Sequence, residues 1–287
     1  MKKSLRNIIT GAILYSGIFG ISNNVHAQDS VPNSFYDKSW NFRASMQTRR
    51  RNVEAAVSSD NKIYVVGGYS GSDNRWLDDV ERYSEETNQW SALTSFPYET
   101  SGIAMVSDNK GEIYVIGGKD NQDQVLGNFF RYKPEEDSWE QLPSLNHPRS
   151  GHEAVSDSQG LVYVLGGASS DVDFVSTVEV YLPSKNGWAD IFPLNEDRAN
   201  FTALVDSRDR VFAIGGNNNN GETNSVEMFD PNNYNLGWQF MSPLSKPKQT
   251  QGTVGIDGLF YILDGWLPGY SSEVEVYDPE IDKWYLH

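Results

Sequence analysis

An all-β chain of radially stacked, four-stranded antiparallel sheets is what the sequence predicts, and three observations carry that expectation. The segment IYVVGG at residues 63–68 returns as IYVIGG at 113, VYVLGG at 162, VFAIGG at 211 and FYILDG at 260, with starts 50, 49, 49 and 49 residues apart. Aligning on the glycines brings an aromatic column into register: Tyr83, Tyr132, Tyr181, Phe229 and Tyr277. A tryptophan column follows, Trp90, Trp139, Trp188, Trp238 and Trp284, seven residues after the aromatic in four repeats and nine in the fourth.

Within a unit the elements read as short strands. AAVSS (55–59) begins it, KIYVVGG (62–68) follows, and VERY (80–83) leads through a turn to Trp90. Gly, Asn, Asp and Pro clusters separate these runs, as hairpin connections require. The segments YKPEEDSW and YDPEIDKW put Pro or a polar residue where a turn needs a preset φ. Four antiparallel strands, here called a, b, c and d, are therefore expected per unit. One such sheet cannot bury two apolar faces alone, and radial stacking of units of 40–50 residues is the solution found in β-propellers. The glycine pair closes strand b, where a close approach or a positive φ excludes side chains. Asp264 breaks the pair in the last unit.

The first 27 residues precede this pattern. Lys2, Lys3 and Arg6, an apolar stretch from Ile8 to Ile21 and the small-residue end Val25-His26-Ala27 read as a cleaved signal peptide, with a mature start at Gln28. Fourteen apolar residues fall short of the roughly twenty needed to span a bilayer. Export to the periplasm or the extracellular space is the expectation, with no membrane insertion after cleavage. Losing three cations takes the formal charge from -16 to -19. So acidic a molecule repels phosphate backbones, which excludes nucleic acid as a general partner. With no cysteine in the chain there is neither a disulfide nor a thiolate for zinc or covalent catalysis.

Gly-Gly, Tyr and Trp columns at this spacing resemble kelch repeats, and the resemblance covers residues 49–287. It implies a kelch β-propeller of five full repeats, preceded over residues 28–48 by the N-terminal strand of a partial sixth, because Trp40 stands fifty residues before Trp90. The lengthened fourth turn, NNYNLGW, and Asp264 depart from the pattern. Galactose oxidase shares this architecture, but its cysteine-linked tyrosine has no counterpart in a chain without Cys.

Strand order places the b–c loops and the d–a connections on one face. The b–c loops vary most: YSGSDNRWLD, KDNQDQVLG, ASSDVDFVS, NNNNGETN and GWLPGYSS. Loops held on a rigid frame are where recognition concentrates, so Trp76, Phe174, Trp266 and Tyr270 are candidate contacts for a glycan or a protein. At the start of strand a the column reads Arg50, Thr100, Arg149, Arg198 and Lys248. Its four cations either form an anion-binding mouth or bond loop carbonyls between blades. Four residues on, Glu54, Ala104, Glu153, Thr202 and Gly252 align, and Glu54, Glu153 and His152 are the acid–base candidates. The four histidines have no metal-ligand spacing. No cofactor is expected.

Two functions fit. One is a non-catalytic binding module presenting its loop face to a protein or a glycan. The other is an enzyme similar to the exported sialic acid mutarotases, in which Arg149 or Arg198 would hold the sugar carboxylate and Glu153 or Glu54 would move protons.

Overall fold

Five four-stranded sheets, each with its strands hydrogen-bonded in the order a-b-c-d, make up the computed structural model. It describes residues 43–170, 174–249, 252–263, 266–267, 269–270 and 274–286. The expected leader, Trp40, Asp264 and the side chains of Trp266 and Tyr270 lie outside the described residues. Among the described residues no helix is long and apolar enough to cross a membrane.

Blade one comprises Glu54–Val57, Ile63–Val66, Val80–Ser84 and Gln89–Ala92. Blade two comprises Ala104–Ser107, Ile113–Ile116, Phe129–Lys133 and Ser138–Leu142. The third is built from Glu153–Ser156, Val162–Leu165, Val178–Leu182 and Gly187–Asp190. Thr202–Val205, Val211–Ile214, Val226–Phe229 and Trp238–Met241 form the fourth. Gly252–Ile256, Leu259–Leu263, Val274–Asp278 and Lys283–Leu286 form the fifth. Every pairing is antiparallel, and the aromatic and tryptophan columns face each other in register, as in Tyr83 opposite Trp90 and Tyr277 opposite Trp284.

Neighbouring blades bury apolar side chains between them. Tyr64, Val66, Met105 and Tyr132 share one interface, Tyr114, Phe129, Val164 and Tyr181 the next. Phe201, Phe229 and Trp238 sit with Leu165 in the third, Phe212, Phe260 and Tyr277 in the fourth. The tryptophan column ties each blade to the chain before it: Trp139, Trp188, Trp238 and Trp284 donate indole N–H groups to the carbonyls of Thr94, Pro143, Phe192 and Ser242 at 3.2, 2.8, 2.9 and 2.7 Å. Each acceptor lies four residues beyond the preceding tryptophan. Trp90 does the same with the Ala44 carbonyl at 2.8 Å, four residues beyond Trp40 in sequence, so the segment before blade one takes the place of a preceding blade's outer end.

Inner strands stand side by side from blade one through blade five. Among the described residues no such packing joins the inner strand of blade five to that of blade one. Tyr261 and Leu263 are correspondingly only half-buried, whereas Tyr64, Tyr114, Tyr163 and Phe212 at the first position and Val66, Ile116, Leu165 and Ile214 at the second are buried.

The glycine pair behaves as the repeat predicts. Gly166 and Gly167 have φ of 57° and 97°. A Cβ on Gly166 would stand 2.5 Å from the Arg198 carbonyl oxygen, and one on Gly167 would stand 2.7 Å from the His152 Cβ. The Gly167 N–H donates to that Arg198 oxygen at 2.8 Å, which couples the end of strand b to the next blade.

Candidate functional site

The cation column and the glutamates of strand c are the first elements to place. Arg149 donates to the Gly166 and Thr177 carbonyls at 2.9 and 2.8 Å and to Glu179 Oε1 at 2.9 Å. Arg198 repeats this with Gly215, Ser225 and Glu227, the last at 2.6 Å. Arg50 bonds the Gly67 and Asp79 carbonyls and pairs with Glu81, and Lys248 lies 2.6 Å from Glu275. Each glutamate also accepts backbone N–H groups from the incoming connection, as Glu179 does from Asn146 and His147 at 2.7 and 3.2 Å. Arg149, Arg198, Lys248 and Arg50 are all buried. The geometry therefore gives these cations the framework role: most of their donors bond carbonyls and carboxylates between elements, with Arg198 Nε the exception, and none of the four is among the residues lining the channel. Blade two departs in both partners at once. Thr100 replaces the cation, Phe130 replaces the glutamate, and Phe130 packs edge-on to Phe96 at 5.2 Å.

A cavity of about 580 Å³ opens where the starts of the a strands meet the b–c loops. Asn52, Gly102, Gly151 and Asn200, all with φ between 49° and 63°, turn the chain into the inner strands at its mouth. The Gly151 N–H donates to the Gly102 oxygen at 2.9 Å and the Asn200 N–H to the Gly151 oxygen at 3.0 Å, so this rim is tied from blade to blade. From the loops, Trp76, Lys119, Asp123 and Phe174 line the cavity. Trp76 is half-buried on a two-residue strand opposite Tyr69 and meets that ring edge-on at 6.3 Å. Short hairpins within these loops, Tyr69–Ser70 with Arg75–Trp76 and Asn217–Asn218 with Gly221–Glu222, were not legible in the sequence pattern. Trp266 and Tyr270 pair in a similar hairpin by their backbones.

Inside, Glu54, Glu153 and His152 line the same cavity. Both carboxylates are first residues of inner strands, two blades apart, with the methyl of Ala104 at the matching position between them. Burial pushes the Glu54 carboxyl up to about 8. Burial raises Glu153 as well, and the charge of Glu54 adds to the rise. Two carboxylates in one poorly solvated space cannot both ionise freely. His152 is 3% exposed, its ring lies against Gly117 and the Ile116 backbone, and neither ring nitrogen makes a well-formed hydrogen bond among the described residues. Burial, reinforced by the charge of Arg149, lowers its imidazole to about 3. His152 fills the slot that Val53, Ile103 and Phe201 fill in other blades, where burial favours the neutral imidazole. Among the described residues no cluster of His, Asp and Glu could hold a metal.

Because the folded state holds a proton on Glu54 that the unfolded chain releases above its ordinary value of 4.5, stability falls as pH rises from there through about 8. Glu54→Gln removes that penalty. Its melting temperature is expected to exceed the wild type's at pH 8, by on the order of 2 kcal/mol of stability, with the two proteins converging near pH 4. Parallel curves across that range in calorimetry would refute the raised carboxyl.

Comparison with known proteins fixes the family. A family model described as the Attractin/LZTR1 beta-propeller matches residues 18–250. The chain belongs to the Attractin/LZTR1 β-propeller family. Kelch proteins are among this propeller's relatives: it is 38% identical over 96 residues to beta-scruin of Limulus polyphemus and 33% identical over 90 residues to Kelch-like protein 40 of Xenopus tropicalis. It is also 33% identical over 89 residues to N-acetylneuraminate epimerase of Pasteurella multocida. These stretches cover 32%, 31% and 30% of the propeller chain and only 10%, 14% and 23% of those proteins, in the same order. In three dimensions it is similar to the solved structure of YjhT, with a TM-score of 0.76 over 88% of this chain and 89% of that one at 16% identity, a likeness of fold.

Proposed function

We propose that this kelch propeller is an exported carbohydrate-binding module whose ligand enters the channel mouth between the d–a connections and the b–c loops. One observation carries the reading: a cavity of about 580 Å³ lined by polar backbone, two carboxylates and, at its rim, Trp76 and Phe174. That volume suits a ligand of one or two sugar rings, since small-molecule sites span roughly 300–1,000 Å³, and an aromatic face at the rim suits the apolar side of a pyranose. A protein partner docking on the loop tips would leave the channel carboxylates unused. Export rests on the basic, apolar and small-residue segments of residues 1–27.

Binding of mono- and disaccharides to the mature chain, followed by titration calorimetry, tests the reading. Trp76→Ala is expected to weaken binding about tenfold while leaving the melt within about 1 °C, because packing on an aromatic face contributes on the order of 1 kcal/mol beyond area burial. Wild-type protein that binds no saccharide but retains a protein partner on the same face would overturn it.

A second reading, sugar mutarotation, draws on the carboxylate pair and on the similarity to a protein named as an N-acetylneuraminate epimerase. Once the pair has lost one proton, the carboxyl that keeps its proton donates to a ring oxygen while the ionised one accepts from the anomeric hydroxyl, which is the division of labour that ring opening needs. The arginines first considered for the sugar carboxylate, Arg149 and Arg198, are occupied by Glu179 and Glu227, so this reading rests on Glu54 and Glu153. Faster anomeric equilibration of freshly dissolved N-acetylneuraminate in NMR, lost in Glu153→Gln, is the expected sign of the enzyme. An unchanged rate leaves the binding module.

A further inference from the structure

We propose that the channel contains a cationic subsite in which Glu54 and Glu153 together receive the ammonium group of an amino sugar. The inference rests on the carbohydrate reading and narrows its ligand class. Both carboxylates face one cavity from the same repeat position in blades one and three. Ala104 between them carries only a methyl, so the wall there is bare. Among the described residues neither carboxylate has a hydrogen-bond or ion-pair partner, although the chain pairs the glutamates of its c strands without fail: Glu81, Glu179, Glu227 and Glu275 each hold a buried cation. A second unsatisfied group lies in the same lining. His152 is 3% exposed, and neither ring nitrogen makes a well-formed hydrogen bond among the described residues.

The other charges around the pair decide the ligand's sign. Lys119 and Asp123, from the b–c loop of blade two, are the remaining charged residues among the described lining, and they offset each other. Arg149, whose charge acts on His152, is paired with Glu179. An acidic sugar entering this channel meets the carboxyl pair, with the charge of Lys119 already offset by Asp123. An amino sugar is attracted to the same pair, and charge-assisted N–H to carboxylate bonds are about twice as strong as neutral ones. Burial keeps a proton on the pair in the empty site. When the ammonium docks, its charge takes over that proton's role and the proton passes to solvent.

Isothermal titration of the mature chain at pH 7 with glucosamine, glucose and N-acetylneuraminate, each in two buffers of different ionisation enthalpy, tests this. Glucosamine is expected to bind about tenfold or more tighter than glucose, with release of up to about one proton per ligand. Glu54→Gln and Glu153→Gln each abolish the preference for glucosamine while keeping a cooperative melt, since removing a strained carboxylate does not unfold the blade. Equal affinity for glucosamine and glucose, or a preference that survives in both Gln variants, overturns the subsite. Binding of glucose or N-acetylneuraminate without a glucosamine preference sinks this inference and leaves the carbohydrate reading intact. No binding by any of the three sinks both.

Discussion

Arg149→Ala is expected to cost about 3–5 kcal/mol in urea unfolding, the range seen when one partner of a buried ion pair is removed. The guanidinium is fully buried and closes four contacts at once: the His147, Gly166 and Thr177 carbonyls and the Glu179 carboxylate. Without it Glu179 remains as a buried charge held only by the N–H groups of Asn146 and His147. Blade two supplies the control, because it dispenses with the pair by changing both members, to Thr100 and Phe130. The double variant Arg149→Thr with Glu179→Phe should therefore recover a large part of the loss, since replacing a buried pair by apolar packing is often neutral or stabilising. A single variant that melts like the wild type and loses saccharide binding would instead return Arg149 to the ligand.

Trp238→Ala should be nearly as damaging, about 3–5 kcal/mol, as for other buried aromatics truncated in a core. Its ring is 6% exposed, packs against Phe229 at 5.5 Å and donates to the Phe192 carbonyl at 2.9 Å. The loss combines a cavity between blades three and four with an unsatisfied carbonyl. Trp76→Ala is the contrast. Its half-buried ring touches Tyr69 at the cavity rim, so its effect on stability should stay near the ±0.5 kcal/mol of surface changes. Equal shifts of the two urea midpoints would remove the distinction between blade-joining and rim tryptophans.

Blade four shows how a departure from the repeat is absorbed. In the other blades the aromatic is a tyrosine whose hydroxyl donates to an Asn or Asp five residues on, as Tyr181 does to Asn186 at 2.7 Å and Tyr277 to Asp282 at 2.7 Å. Those acceptors sit at positive φ, which Asn and Asp tolerate. Phe229 has no hydroxyl, and the turn is rebuilt as the 3-10 segment Pro231–Leu236, capped by Asp230. Tyr234 from that segment then meets Phe229 at 5.7 Å and Phe192 at 5.0 Å. The tyrosine-to-Asn/Asp spacing and the joint change of Thr100 with Phe130 were both present in the sequence as signals, yet each needs the fold to reveal which positions face one another.

By itself the sequence determined the repeat, its four strands, the register of the aromatic and tryptophan columns and the glycine pair, because period, alternation and backbone sterics act over short distances along the chain. It also brought Glu54, Glu153, His152 and Trp76 forward as candidates. Only the tertiary structure decided what the cations do. Whether an arginine binds a ligand or a carboxylate depends on which group, some thirty residues away, is carried to it by the next hairpin, as Glu179 is to Arg149. Likewise, two glutamates 99 positions apart become one titrating unit only when the blades around Ala104 turn them into a shared, poorly solvated channel, and that closeness has no trace in local pattern.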